Sequence, residues 1–249
     1  FGIFTPKELA DQLGIQAQSI YSGLQNMSLY SVQKLMTRLM VKYAAERLRP
    51  ILDKSPATIS RAGISISGDD SVIQRIGKKI RSTYRWYSGR AKQVVNGNDL
   101  MGLVLTVEGV ILPLHLMFCS KQGRGNTSKP QLLVKMLTEL KELFEQEGID
   151  ITQFPLTLDS WFASEPLRKE LLLLGFKKII IAGKGNYIFT IGGEKDKAVA
   201  WKTKLDLSEC EWATDTPVRR VKAESPTFGK VALLFFRKST SRVYYTVDG

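Results

Sequence analysis

The chain of 249 residues has a single histidine, His115, and only two cysteines, Cys119 and Cys210. Cys/His metal cages need several ligands at short spacing, so a structural zinc site is not expected. The two thiols read as small apolar packing residues rather than a disulfide, which fits a reducing cytoplasmic compartment. His115 lies in the apolar run from Val110 to Phe118 and reads as a satisfied core histidine, not a general base. No apolar run approaches the ~20 residues of a membrane span, so no membrane partner is expected. Lys7 and Glu8 interrupt the start, where no signal-peptide pattern occurs. Internal repeats and low-complexity segments are missing too.

Acid is scarce relative to base. Lys and Arg number 36 against 24 Asp and Glu, for a net charge of +12, which argues for an acidic partner. The distribution sharpens this. Residues 71 to 98 contain no acid but seven basic residues: Arg75, Lys78, Lys79, Arg81, Arg85, Arg90 and Lys92. Residues 171 to 193 again lack acid and carry Lys177, Lys178 and Lys184.

Against that background, two aspartates stand out. Asp70 ends the run Ile64-Ser-Ile-Ser-Gly-Asp-Asp70, and Asp159 ends Phe154-Pro-Leu-Thr-Leu-Asp159. A carboxylate at the tip of a buried strand is costly to desolvate unless a cation or hydrogen bonds compensate it. Two of them, each followed by an acid-free basic stretch, suggest a divalent metal site facing a phosphodiester.

The order of elements frames these residues. Thr5-Pro6-Lys7-Glu8 is a helix-start signal, and helices are expected through residue 53, including Gln18 to Leu24 and Ser31 to Leu52, with Pro50 ending or kinking the last. A half-buried strand follows over residues 64 to 70. Residues 81 to 88 form a hairpin arm. Leu100 to Val107 and Val110 to Phe118 are antiparallel neighbours joined at Glu108-Gly109. Residues 130 to 148 form an amphipathic helix. The strand to Asp159, a helix over 164 to 174 and a buried strand over 176 to 182 come next. Short strands are expected at 187–191, 200–205, 218–223, 231–237 and 242–247. Three antiparallel strands followed by two helix-connected ones predict a mixed α/β sheet with helices packed on it.

This order resembles the ribonuclease-H-like fold, with an aspartate ending the first strand and another ending the fourth. The local words resemble the DDE transposases of bacterial insertion sequences, in the insertion-sequence-4-like branch. They are Gly68-Asp-Asp-Ser-Val-Ile73, Gly77-Lys-Lys-Ile80, Trp86-Tyr87, Leu112-Pro-Leu114, Leu158-Asp-Ser-Trp-Phe162, Leu174-Gly-Phe176 and Lys184-Gly-Asn186, over roughly residues 60 to 190. The resemblance implies an enzyme in which three carboxylates hold Mg²⁺ or Mn²⁺ for in-line phosphoryl transfer on transposon DNA ends. It implies Asp159 as the second carboxylate and Asp70 or Asp69 as the first. Adjacent strand residues face opposite sides, so only one of the pair points at the metal, and Asp70 is favoured. The family's third carboxylate, a glutamate in a Tyr-x2-Arg-x3-Glu-like word, has no counterpart here. The chain reads as a piece of a longer protein cut before that helix, and this piece should bind metal weakly and show little or no strand transfer of its own.

Three regions follow: a helical N-terminal part (1–58) that could bind DNA, a catalytic core (59–182) and a β-rich insertion (183–249). Leu9-Ala-Asp-Gln-Leu-Gly14 with Ser19-Ile-Tyr21 resembles the start of a helix-turn-helix, though a small bundle packed on the core explains it as well. Expected DNA contacts are Lys78, Lys79, Arg81, Arg85, Trp86, Arg124 and Lys184. Trp86 or Tyr87 either stacks on an unpaired base or packs on the sheet. The resemblance further implies a bacterial, nucleoid-associated protein that pairs two DNA ends as a homodimer. The alternatives are a ribonuclease-H-like nuclease that only hydrolyses and a non-catalytic DNA-binding protein derived from a transposase.

Overall fold

The structure is a computed structural model that describes residues 16–26, 28–76, 83–121, 127–205, 218–236 and 243–247. Its centre is set by β-branched and apolar alternation. The strands are β1 (Ser65–Gln74), β2 (Tyr84–Ser88), β3 (Gln93–Val107), β4 (Val110–Phe118), β5 (Leu156–Leu158) and β6 (Ile179–Gly183). β1 pairs antiparallel with β3, and β3 with β4, while β1, β5 and β6 run parallel. The order β4-β3-β1-β5-β6, three antiparallel strands and then two parallel ones, is that of a ribonuclease-H-like sheet. β3 is long enough to pair β2 with its first part and β4 with its second.

Helices at 29–52 and 129–146 pack on one face of this sheet. The helices up to β6 are α1 (Ala17–Asn26), α2 (Leu29–Leu52), α3 (Pro56–Arg61), α4 (Lys129–Gln146) and α5 (Glu165–Leu173). α4 starts at a capping box in which Ser128 and Gln131 satisfy each other's backbone donors. Leu132, Leu133, Met136, Leu137, Leu140 and Phe144 form its buried stripe. Gly68 of β1 lets the helix layer approach closely, since a Cβ there would lie 3.1 Å from the Leu103 and Leu158 side chains and 3.2 Å from that of Leu133 of α4. The even-numbered residues Ile66 and Gly68, with Met101, Leu103, Leu105, Leu156, Leu158, Ile179 and Ile181, therefore belong to the helix-covered face. On the opposite face, Ser67, Gly102, Val104, Thr157 and Ile180 are half-buried.

α2 packs on β4 and α4. Gln33 Nε2 donates to the Leu116 carbonyl at 3.1 Å, and buried His115 bridges Thr37 Oγ1 (3.2 Å) and Glu139 Oε2 (2.9 Å). Pro50 is accommodated in the last turn of α2. The helix-start word at Thr5 and most of the helix-turn-helix-like word lie outside the described residues.

Beyond β6 the sheet continues without a break. β7 (Ile188–Ile191), β8 (Glu194–Lys197), β9 (Val218–Ser225), β10 (Gly229–Phe236) and β11 (Val243–Val247) complete the order β6-β11-β10-β9-β7-β8. The strand expected at 200–205 is instead a helix, α6 (Ala198–Lys204). Its apparent alternation conceals buried Ala198 and Trp201 at helical i, i+3 spacing, and Lys202 and Lys204 sit where the helix C-terminus favours cations. Trp201 Nε1 donates to the Phe189 carbonyl at 2.9 Å, which fixes α6 on β7. No helix among the described residues is long and apolar enough to cross a membrane.

Candidate metal and DNA site

The site forms where parallel β1 and β5 deliver their carboxylates. In that pairing Ile66 stands opposite Leu156, Ser67 opposite Thr157 and Gly68 opposite Leu158. Ser67 and Thr157 share one face, as their 2.6 Å hydroxyl contact shows. One residue after the last pair, the same register brings Asp69 beside Asp159, on the Ser67/Thr157 face. Both aspartates are exposed. Solvent lost around its carboxyl is the main cause that raises the Asp69 pKa. The Asp70 backbone N–H opposes it, donating to Asp69 Oδ1 at 2.8 Å, while the charges of Asp70 and Asp159 push it up further.

Asp70, the residue favoured from the sequence, faces the other way on β1. It continues the Ile66/Gly68 face and meets Lys129, the first residue of α4, whose Nζ lies 2.7 Å from Asp70 Oδ2. The same ammonium is 2.8 Å from Oδ2 of Asp99 on β3, which is completely buried. The Lys129–Asp99 contact is an ion pair, and Asp99 Oδ1 makes no close hydrogen bond among the described residues. Burial, outweighing Lys129, leaves the Asp99 pKa raised. Burial works against the Lys129 charge, but the two carboxylates prevail and raise its pKa. Beside them, burial and then the Asp99 charge push the Cys119 thiol up to about 12, so it is no nucleophile.

The expected DNA contacts divide. Lys78, Lys79, Arg81 and Arg124 lie outside the described residues. Arg85 is exposed on edge strand β2. Lys184 is exposed just beyond β6, at the same carboxyl end of the parallel strands as Asp159. Trp86 is half-buried against the core, with Lys121 Nζ 4.3 Å and Lys129 Nζ 5.6 Å from its ring centre. Its ring thus already carries a cation, and Lys121 is tied down by donating to the Arg85 carbonyl at 2.5 Å. Tyr87 is 64% exposed on the same strand, and a second open aromatic lies beside Asp159, Trp161. It is 66% exposed, sits two residues after Asp159 in a one-turn 3-10 helix (Ser160–Phe162), and lies 6.0 Å from Lys129 Nζ.

Lys129 and Asp99 were not singled out in the sequence, and Trp161 stood there only as part of the Leu158-Asp-Ser-Trp-Phe162 word. Alternation held the signal for the aspartates: Ile64, Ile66 and Gly68 mark the core side of β1, which sends Asp70 inward and Asp69 outward. For Lys129, the signal was a basic residue at a helix N-terminus, where the dipole disfavours it unless acids are near.

The two carboxylates suit a hard divalent cation, because neither makes an ion pair among the described residues, while the Lys129 ammonium is held by Asp70 and Asp99. Among the described residues no group of three His, Cys, Asp or Glu side chains is placed to hold a metal ion.

No protein-family model and no curated protein matches the sequence. Solved structures do show likeness. One is the Mos1 transposase paired-end complex with the left transposon end, at 14% identity, a TM-score of 0.27, 69% of this chain and 52% of that one. The chain spans about half of that transposase. A Mos1 paired-end complex with Mg is similar at 13% identity over 69% and 52% of the two chains, with a TM-score of 0.24. The third is Ciona intestinalis endonuclease V bound to a 23mer DNA containing inosine, at 9% identity, a TM-score of 0.40, 89% of this chain and 84% of that one. With TM-scores below 0.5, no residue of this chain takes a role from these neighbours.

Proposed function

We propose that this chain is the catalytic part of a DNA transposase of the DDE type, with Asp69 and Asp159 as its two carboxylates. The observation that carries the reading is the β1/β5 register. It puts two aspartates side by side at the carboxyl end of parallel strands in a ribonuclease-H-like sheet, in a protein of net charge +12. A Mg²⁺ or Mn²⁺ ion held there would polarise the scissile phosphate and activate the attacking hydroxyl. Asp69 and Asp159 supply the oxygen donors, and the Asp70 N–H fixes the orientation of Asp69 Oδ1. Lys184 and Arg85, with Lys78, Lys79, Arg81 and Arg124, contact backbone phosphates. Trp161, rather than the cation-covered Trp86, stacks on an unpaired base at the cut site. The substrates are transposon ends and target DNA, paired by a homodimer in a bacterial cytoplasm.

The test is binding of Mn²⁺ and of duplex DNA across a salt series. The expected result is DNA affinity that falls steeply with salt, with a Mn²⁺ ion lost on Asp159→Asn while DNA binding persists. DNA binding with no Mn²⁺ that depends on Asp69 or Asp159 would favour the non-catalytic DNA-binding reading. The two-carboxylate set among the described residues makes that the second candidate.

A further inference from the structure

Lys129 belongs to no part of the chemistry above, yet it is among the most constrained charges in the molecule. Its backbone is fixed by the Ser128/Gln131 capping box and by Pro130 in the first turn of α4. Its ammonium sits between Asp70 and Asp99, at 2.7 and 2.8 Å, with the Trp86 and Trp161 rings 5.6 and 6.0 Å away. A lysine at the positive end of a helix is disfavoured by the dipole, so two carboxylates are what hold it there. Asp69 and Asp70 are consecutive, and nothing in their side chains tells a divalent ion which to choose.

We propose that Lys129 is a positioning residue that acts as a built-in cation: it occupies the cation position between Asp70 and Asp99 and so directs a divalent ion to Asp69. This deepens the reading in which Asp69 and Asp159 hold the metal, and rests on it. Ammonium and metal compete for the same oxygens. A hard ion would take Asp70 Oδ2 and Asp99 Oδ2 at roughly 2.0–2.6 Å, in the space that Nζ fills. While Lys129 is present, Asp70 is neutralised and Asp99 is sealed from solvent. Without it, Asp70 and Asp99 form a second acidic site, reached through the opening left by the lysine side chain.

The experiment is Mn²⁺ binding followed by electron paramagnetic resonance on the 249-residue chain. In the wild type the ion should be lost on Asp69→Asn or Asp159→Asn and kept on Asp70→Asn. In an Asp159→Asn background, Lys129→Met should gain about one Mn²⁺ per chain, and adding Asp70→Asn should remove it. Should Lys129→Met fail to fold by far-UV circular dichroism, Lys129→Gln takes its place, keeping donors for both carboxylates without the charge. Loss of the wild-type ion on Asp70→Asn overturns the proposal, as does a folded Lys129 variant that gains no ion. Failure of the underlying metal reading would look different. The wild type would then bind no Mn²⁺ that Asp159→Asn removes, while the Lys129 variant would still gain its own.

Discussion

Asp69 and Asp70 are one peptide bond apart and live in opposite surroundings. Asp69 stands on the half-open face with Ser67, Thr157 and Asp159, where the next backbone N–H donates to it. Asp70 stands on the helix-covered face, bound to Lys129 in a cluster that includes fully buried Asp99 and buried Cys119. Among the described residues, one side of the strand leaves carboxylates without an ion pair, and the other supplies one from the protein. The difference teaches that the pleat of a strand can separate an open carboxylate from a salt-bridged one within two residues. It also locates the acid that is open to an external cation.

The largest effect should come from breaking the closed side. Lys129→Met strands a buried carboxylate, and urea denaturation should show a loss of about 3 kcal/mol, the low end for a broken buried pair because the lysine is partly exposed. Asp70→Asn should cost clearly less, since the Asp99 pair survives. Breaking the open side should leave stability alone and change function. Asp69→Asn or Asp159→Asn should weaken Mn²⁺ by more than roughly tenfold, since a direct ligand should matter at least as much as its supports. Denaturation midpoints of these two should match or exceed the wild type, because a repelling charge is removed.

Trp161→Ala sharpens the same contrast. The side chain is two-thirds exposed, so stability should stay within about 0.5 kcal/mol. Affinity for DNA with unpaired bases should fall by about 1–3 kcal/mol in a fluorescence titration, and Trp161→Phe should restore most of it. Equal loss on fully paired duplex would remove the stacking role.

The smallest effect is a pH dependence of the closed side. The folded pKa of Asp99 is raised above its unfolded value. Below the ordinary aspartate range both states are protonated and no cost arises. As pH rises through the window just above that range, the unfolded chain releases its proton first and stability declines. Above the folded pKa the cost is constant. Asp99→Asn lacks this dependence, so the wild type should lose stability relative to it as pH rises through that window, measured by denaturant midpoints at each pH. A rising relative stability would reverse the sign and contradict the burial argument.

Much of the scaffold was legible in the sequence. The Val110–Phe118 strand and the strand–aspartate word at 154–159 occur where periodicity and Gly/Pro punctuation put them, and the amphipathic helix read at 130–148 runs over Lys129–Gln146. The central strand order also follows from the short Glu108-Gly109 turn and the helical connections. The choice between Asp69 and Asp70 was harder, because a one-residue error in register turns a side chain to the other face. α6 was misread because a short segment fits period 2 and period 3.6 alike. Lys129 and Asp99 were hidden for another reason. They lie 30 residues apart in sequence, and only the packing of α4 on the sheet brings them together.

The most direct test is a crystal structure of the chain grown with Mn²⁺, read by anomalous scattering. The account predicts a peak bound by Asp69 and Asp159, with the Lys129 ammonium still seated between Asp70 and Asp99. A peak on Asp70, with Lys129 displaced or Asp159 turned away, would contradict it.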